Sequence, residues 1–233
     1  MTRFPTGCPG AGKGTLCSKL AEQYGWTHIS VGHELRRYVR HHDQPDDLIV
    51  QGVRAGQLVP EKALVEILQV CISQSAGPNG CTVILDGLPR HASQIPLIQD
   101  QVCPQAQVHF EKMTRRQIGV PDSVICFECP KEIARRRVLS RNDTSRVDNE
   151  EIFERRYAEF CSNNPDIVTY FEAQAKLIKV VLCPLATLNT DSDQVDTRHH
   201  EDLSFSNLLL KLRDCLPNTN LRSNQGRMET AVA

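Results

Sequence analysis

Short apolar runs alternate with stretches of helical period along most of the chain. Thr27 to Ser30, Thr82 to Asp86, Val124 to Cys129 and Ile178 to Leu182 are the strand candidates. Runs this short and nearly continuous in apolar residues predict strands buried on both faces, as in a parallel sheet. Between them the spacing predicts helices over about Lys13 to Gln23, Pro60 to Ser75, Lys131 to Arg141, Glu150 to Cys161 and Asp166 to Lys176. Pro60 suits a first helical turn. The alternation predicts an α/β fold, a doubly wound parallel sheet with helices on both faces and ligands at the carboxyl ends of the strands. Asn189 to Asp202 is polar and reads as a surface loop before a last helix, Leu203 to Leu216, with Pro217 just past its end. Residues 217–233 lack periodicity and read as a disordered tail.

Composition narrows the ligand. The 233 residues are 40% hydrophobic, enough for one well-formed core. Lys and Arg number 27 against 28 Asp and Glu, a net charge of -1, so nothing argues for a nucleic-acid polymer as ligand. The basic residues cluster instead, chiefly between Arg135 and Arg156, which suits either a small anion or a solvated helix face. Among ten cysteines only Cys126 and Cys129 form a C-x-x-C pair, and the apolar residues before it favour buried strand cysteines over a metal site. His199 and His200 read as solvated loop residues. Met1 to Gly14 lacks the apolar core of a secretory signal, and no apolar run reaches membrane-spanning length. The expectation is an intracellular, reducing compartment with free thiols: the cytoplasm, with the nucleus open as well.

The segment Gly7-Cys8-Pro9-Gly10-Ala11-Gly12-Lys13-Gly14-Thr15 carries the chemistry. Backbone N–H groups of such a loop turn inward and form a concavity for anions. The following helix adds its positive end. Gly7, Gly10, Gly12 and Gly14 permit unusual dihedrals and close approach of phosphates. Lys13 supplies a mobile point charge for the terminal phosphates. The usual pattern has Ser or Thr directly after the Lys, whereas here Gly14 intervenes before Thr15.

This variant resembles the phosphate-binding loop of the nucleoside monophosphate kinase family, which includes adenylate kinases and UMP/CMP kinases. Four further segments resemble its motifs in the same order: His28 to Arg36, Gly56 to Pro60, Ile84 to Arg90, and the Arg-rich stretch Arg137 to Asn149. The resemblance runs from residue 7 to about 182 and is closest to fungal-type uridylate kinases. It implies a P-loop kinase domain over 1–216, an acceptor-binding helical insert over 31–60, and a short lid over 141–149. That lid has no cysteines and needs no structural zinc.

The resemblance also implies roles. The loop residues Gly10, Ala11, Gly12, Lys13, Gly14 and Thr15 would hold the ATP phosphates, with Arg137 near the donor adenine. Ser30, Arg36, Val59, Gly87, Arg90 and Gln94 would bind the acceptor. Arg36 is favoured over Arg37 by register, and its planar fork suits phosphate. Lys13, Arg90, Arg141, Arg146 and Arg156 would surround the transferred group, and Asp86 would orient Mg²⁺ through its water shell. At most one or two of the consecutive Arg135, Arg136 and Arg137 can face a ligand. The partners implied are ATP and a nucleoside monophosphate, with no membrane, and the chain is expected to be a monomer. No general base is needed, because the acceptor phosphate is already ionised. Val31 is apolar where adenylate kinases have Thr, which leans toward UMP/CMP; AMP stays open, because a carboxamide such as Gln94 can both donate and accept.

Several residues depart from the family pattern. The family has an apolar strand before the loop, whereas here only six residues precede Gly7 and Pro5 cannot donate to a ladder. The first strand is therefore expected to be missing or truncated. His33 stands where the family has an acid; Glu34, about 100° away around a helix, is not expected to replace it. The lid drops a Gly before Arg146 and keeps one Asp, Asp148, where two are usual. Residues Met113 to Gly119 read as part of an insertion. These departures keep open a degenerate member that binds nucleotide with little turnover. A kinase for another small metabolite fits the Asp86-to-Arg90 and lid segments poorly.

Overall fold

A computed structural model of the chain describes residues 2–75, 82–98, 123–141, 148–182 and 197–215. Five strands form one parallel sheet in the order β2-β3-β1-β4-β5. They are β1 (Thr2–Gly7), β2 (Thr27–Ser30), β3 (Val83–Asp86), β4 (Ser123–Glu128) and β5 (Leu177–Val181). Among the described residues eight helices surround it: α1 (Lys13–Tyr24), α2 (Val31–His41), α3 (Asp47–Ala55), α4 (Glu61–Ser75), α5 (Gln94–Leu97), α6 (Lys131–Leu139), α7 (Glu150–Ala173) and α8 (Thr197–Cys215). The doubly wound parallel sheet is as the pattern predicts.

Side chains alternate across the sheet, so each strand feeds two cores. Phe4, Ile29, Leu85 and Val124 point to the side covered by α2 to α4. Ile84, Ile125, Phe127 and Val180 point to the side covered by α1, α6 and α8. Helix α7 serves both: Phe153 packs in the second core, while Ile167 and Phe171 pack in the first.

The first strand is neither missing nor stunted. It is six residues long and central, paired with β4 from Arg3↔Ser123 to Gly7↔Phe127 and with β3 at Thr2 and Arg3. Pro5 is tolerated because the ladder with β3 ends two residues before it. Polar composition hid this strand. Arg3 is fully buried, donates from Nη1 to Ser123 Oγ at 2.8 Å, and lies 4.9 Å over the Trp26 ring. Thr6 donates to Asn164 Oδ1 at 2.9 Å. A buried charge is tolerated when hydrogen bonds and a ring face compensate it.

Two other expectations are corrected. The helices predicted over Glu150–Cys161 and Asp166–Lys176 are one continuous α7, with Pro165 inside it. Proline removes one helical bond, that to the Cys161 carbonyl. Cys161 is exposed, so water can serve that oxygen, and buried anchors on both sides of Pro165 hold the axis. The last helix starts at Thr197, six residues before the predicted Leu203, so His199 and His200 lie in its first turn rather than in a loop. The expected tail and the insertion at Met113 to Gly119 fall outside the described residues. No helix among the described residues is long and apolar enough to cross a membrane.

Ser123→Ala removes an acceptor from the buried Arg3 guanidinium. A lost partner of a buried charge costs about 1–3 kcal/mol. The free energy of unfolding should fall by that amount, seen as a lower denaturant midpoint at unchanged m-value; an unmoved midpoint would show that Arg3 is satisfied without Ser123.

Candidate active site

The carboxyl ends of β1, β2 and β3 open into a cleft of about 580 Å³. Its floor is the turn between β1 and α1. Gly7, Gly10 and Gly12 adopt φ of 146°, 86° and 84°, in the left-handed region. Gly14 does not; it belongs to the first turn of α1. Close packing also requires glycine. A Cβ at Gly10 would lie 2.2 Å from the Ala134 carbonyl oxygen, and one at Gly7 2.6 Å from that of Phe127. The turn is thus pressed against β4 and α6. Ala11 is fully buried beneath it and does not line the cleft.

Lys13 Nζ donates to the carbonyls of Gly7 and Cys8 at 2.7 and 2.8 Å. Burial holds its ammonium below the ordinary lysine range, and Asp86 opposes that shift. Asp86 ends β3. Its Oδ1 is buried and has no hydrogen-bond partner among the described residues, while Oδ2 lies 3.9 Å from His28 Nε2. Thr15 and Ser30 line the cleft, and Ser30 makes no side-chain cap bond at the start of α2.

The cationic wall comes from four elements. Arg36, on α2, lines the cleft; Arg37 is exposed and pairs with Glu34 at 3.2 Å. Arg90 lines it after β3, with Nε donating to the Gly87 carbonyl at 3.1 Å. Arg141 and Arg156 approach from the far side, both drawn toward Asp148 at 3.7 and 3.8 Å. Arg146 lies outside the described residues, as does most of the segment over 141–149. Of the three consecutive arginines only Arg137 faces the loop, its Nη1 3.8 Å from where a Gly12 Cβ would sit. Arg135 pairs instead with Glu150.

Of the remaining predicted residues, all but Gly87 stand one layer back. Gly87 lines the cleft, with φ 99°. Val31 packs beneath it, 3.6 Å from the place of its missing Cβ. Val59 is buried in the core. Gln94 is buried, and its Oε1 accepts from the Arg90 N–H at 2.8 Å. Sequence reasoning missed the cleft-lining Ser18, Glu159, Phe160, Asn164 and Ile167. Those on α7 lie on one continuous helix that was expected as two, Glu150 to Cys161 and Asp166 to Lys176. His28 and His33 also line the cleft, as does Glu34, whose carboxylate accepts from the Cys71 thiol at 3.5 Å and so is turned toward α4.

A glycine loop sealed on neighbouring backbone, a buried lysine within it, and arginines converging from the opposite wall form a site for two phosphate-bearing ligands. The family model of adenylate kinase matches residues 6–176. The chain belongs to the adenylate kinase family. It is similar to UMP-CMP kinase 3 of Arabidopsis thaliana, 30% identical over 76% of this chain and 79% of that protein. It is also similar to uridylate kinase of Saccharomyces cerevisiae, at 32% over 76% and 80%. Adenylate kinase isoenzyme 5 of Mus musculus is 34% identical over 76% of this chain, which spans 29% of that longer protein. Family membership makes the chain an ATP-dependent phosphotransferase acting on a nucleoside monophosphate.

Gly10→Ala drives a methyl into the Ala134 carbonyl and strains a left-handed residue, at a cost of about 2–4 kcal/mol. Equilibrium unfolding should show that loss together with weaker ATP binding; wild-type stability would refute the close approach. His28 yields a pH prediction. Burial holds its pKa below the ordinary value, opposed by Asp86. Between the folded value and about 6.5 the unfolded chain binds more protons, so stability rises with pH there. Melting temperature should therefore fall between pH 7.5 and 5.5, and fall less in His28→Gln. Equal slopes would remove His28 as the cause.

Proposed function

We propose that this chain transfers the γ-phosphoryl group of Mg·ATP to UMP or CMP, giving ADP and a nucleoside diphosphate. The observation that carries this reading is the convergence of Lys13, Arg36, Arg90, Arg141 and Arg156 on one cleft. Phosphoryl transfer needs positioning and fixed charge more than covalent help from the protein. Five cations around one cavity match a reaction in which negative charge passes between two bound phosphates.

The roles follow from position. The loop amides, Thr15 and Lys13 hold the donor phosphates, and Arg137 flanks the loop on the side of the donor base. Arg36 and Arg90 grip the acceptor phosphate, with Ser30 and Gly87 beside them. Arg141 and Arg156 cover the transferred group from α7 and the segment before it; Arg146 joins them on the family resemblance. Residues 31–60 form the acceptor-binding insert and 141–149 the short lid, within a kinase domain over 1–216. Closing both excludes water, which would otherwise take the phosphoryl group.

Asp86 is the residue that fits a divalent cation. A buried carboxylate oxygen with no hydrogen-bond partner, at a strand end beside Lys13 and Gly14, suits the water shell of Mg²⁺. When bound, the ion neutralises charge on the donor phosphates. Asp86 also partly offsets the burial of Lys13.

The choice of UMP/CMP rests on the apolar Val31 and on the names of the Arabidopsis and yeast relatives. The likeness to mouse adenylate kinase isoenzyme 5 keeps AMP as the second reading. A coupled ADP-release assay with Mg·ATP and, separately, UMP, CMP, dCMP and AMP should rank UMP and CMP above AMP. Lys13→Ala should lose on the order of 10³ in turnover. A higher kcat/KM for AMP would overturn the acceptor assignment, and an active Lys13 variant would overturn the site.

A further inference from the structure

Cys8 is the second residue of the phosphate loop, yet its side chain turns away from the cleft. It is buried in the core beside Ala11, Phe127 and Ala134. There it meets Cys129, the residue just after β4. Cys8 Sγ donates to the Cys129 carbonyl oxygen at 3.8 Å, and Cys129 Sγ donates to the Pro130 carbonyl oxygen at 3.7 Å. Both are free, and Cys129 is half-buried, so the pair opens toward solvent through it.

We infer that Cys8 and Cys129 are an oxidisable thiol pair whose disulfide closes the phosphate loop to ATP. Cys8 is well placed to transmit such a bond. Its carbonyl accepts from Lys13 Nζ at 2.8 Å and from the Ala11 N–H at 3.1 Å, so its backbone fixes both the lysine and the turn. Cys129 is coupled to the same site from the other side. Its Sγ lies 3.9 Å from Arg137 Nη1, the guanidinium that sits against Gly12. A disulfide demands a defined Cα separation and torsion, whereas two thiols in contact do not. Forming it shifts the Cys8 backbone and displaces the carbonyl that holds Lys13.

The chemistry needs only a hydroperoxide. The thiolate of the pair attacks the O–O bond, forming a sulfenic acid and releasing hydroxide, which leaves as water with a proton. The second thiol then attacks that sulfur, the S–S bond forms, and a second water departs with its proton. Two sulfurs are each oxidised by one electron, and one peroxide is reduced. The neighbouring Cys129, assisted by Lys13 against the effect of burial, holds the Cys8 thiol below its ordinary range and favours the reactive anion. The other cysteines near the loop are less suited. Cys17 and Cys126 are buried, and burial raises both thiols. Cys161 is exposed on α7 and serves as the control. No group of three or more metal-ligating residues exists among the described residues, so a metal site does not compete for the pair.

The test treats the full chain with hydrogen peroxide and reads two quantities. Peptide mapping without reductant should give one cross-linked species joining the segments of Cys8 and Cys129, lighter by two hydrogens than the separate thiol peptides. Binding of a fluorescent ATP analogue should weaken by about 10-fold or more and recover with dithiothreitol. Cys129→Ser should bind ATP before treatment and resist the loss, while Cys161→Ser should behave as wild type. Absence of the Cys8–Cys129 species, unchanged ATP affinity in the cross-linked protein, or an equal loss in Cys129→Ser would each overturn the inference. If Cys129→Ser fails to fold, mapping and dithiothreitol recovery of the wild type still decide it. None of these readouts needs an acceptor nucleotide, so the inference and the UMP/CMP assignment fail separately.

Discussion

The site depends on a contact between backbones. A loop of inward N–H groups can hold phosphate only when something outside the loop fixes its shape. Here that is the seal of Gly7 against the Phe127 carbonyl and of Gly10 against the Ala134 carbonyl. No side chain fits either gap. Close packing transmits displacement rather than absorbing it, so the loop, the end of β4 and the start of α6 behave as one piece. The pairing of β1 agrees: it follows β4 over five registered residues and β3 over two. Arg137 and Cys129 belong to the same unit, which places two side chains outside the phosphate motif under its geometric control.

Charge imposes the second constraint. A lysine and four arginines around one cleft repel one another and lose hydration there. The protein offsets this locally. Lys13 donates to two carbonyls, Asp86 lies behind it, and Asp148 stands between Arg141 and Arg156. The Asp148 pairs are long, at 3.7 and 3.8 Å, and draw the two arginines toward one carboxylate. On the proposed reading, bound phosphates complete the neutralisation.

The legible parts of the sequence were those where one residue type has one structural meaning. Apolar runs located β2 to β5 within a residue or two, and the glycine-lysine spacing located the loop. Register separated Arg36, which lines the cleft, from Arg37, which pairs with Glu34, because residues one apart on a helix face different ways. The failures share a cause: local chemistry overruled by a distant partner. Thr2, Arg3 and Thr6 look like surface residues until Ser123, Trp26 and Asn164 are placed beside two of them. Pro165 looks like a helix end until Phe153 and Phe171 are seen to anchor both halves of α7. Ala11 and Val59 carry the motif but belong to the cores, so a motif position is not by itself a contact.

On the proposed reading, acceptor choice sits in this same second layer. Gln94 gives its carboxamide oxygen to the Arg90 N–H. That bond joins the residue expected to read the base to the one proposed to grip the acceptor phosphate, and it uses the carboxamide oxygen, so only the amide N–H groups remain to donate. Uracil, cytosine and adenine all present an acceptor to such donors, so this contact discriminates little among them. The decision then passes to shape, where a pocket wall separates ring sizes by only a few kcal/mol. Val31 is the side chain that shapes the wall from beneath, pressed against Gly87 and hence against the turn that carries Arg90. A methyl there rather than a hydroxyl removes one polar group from the floor and leaves the phosphate grip intact. Preference for a base can therefore shift in this fold while the phosphoryl-transfer apparatus stays fixed.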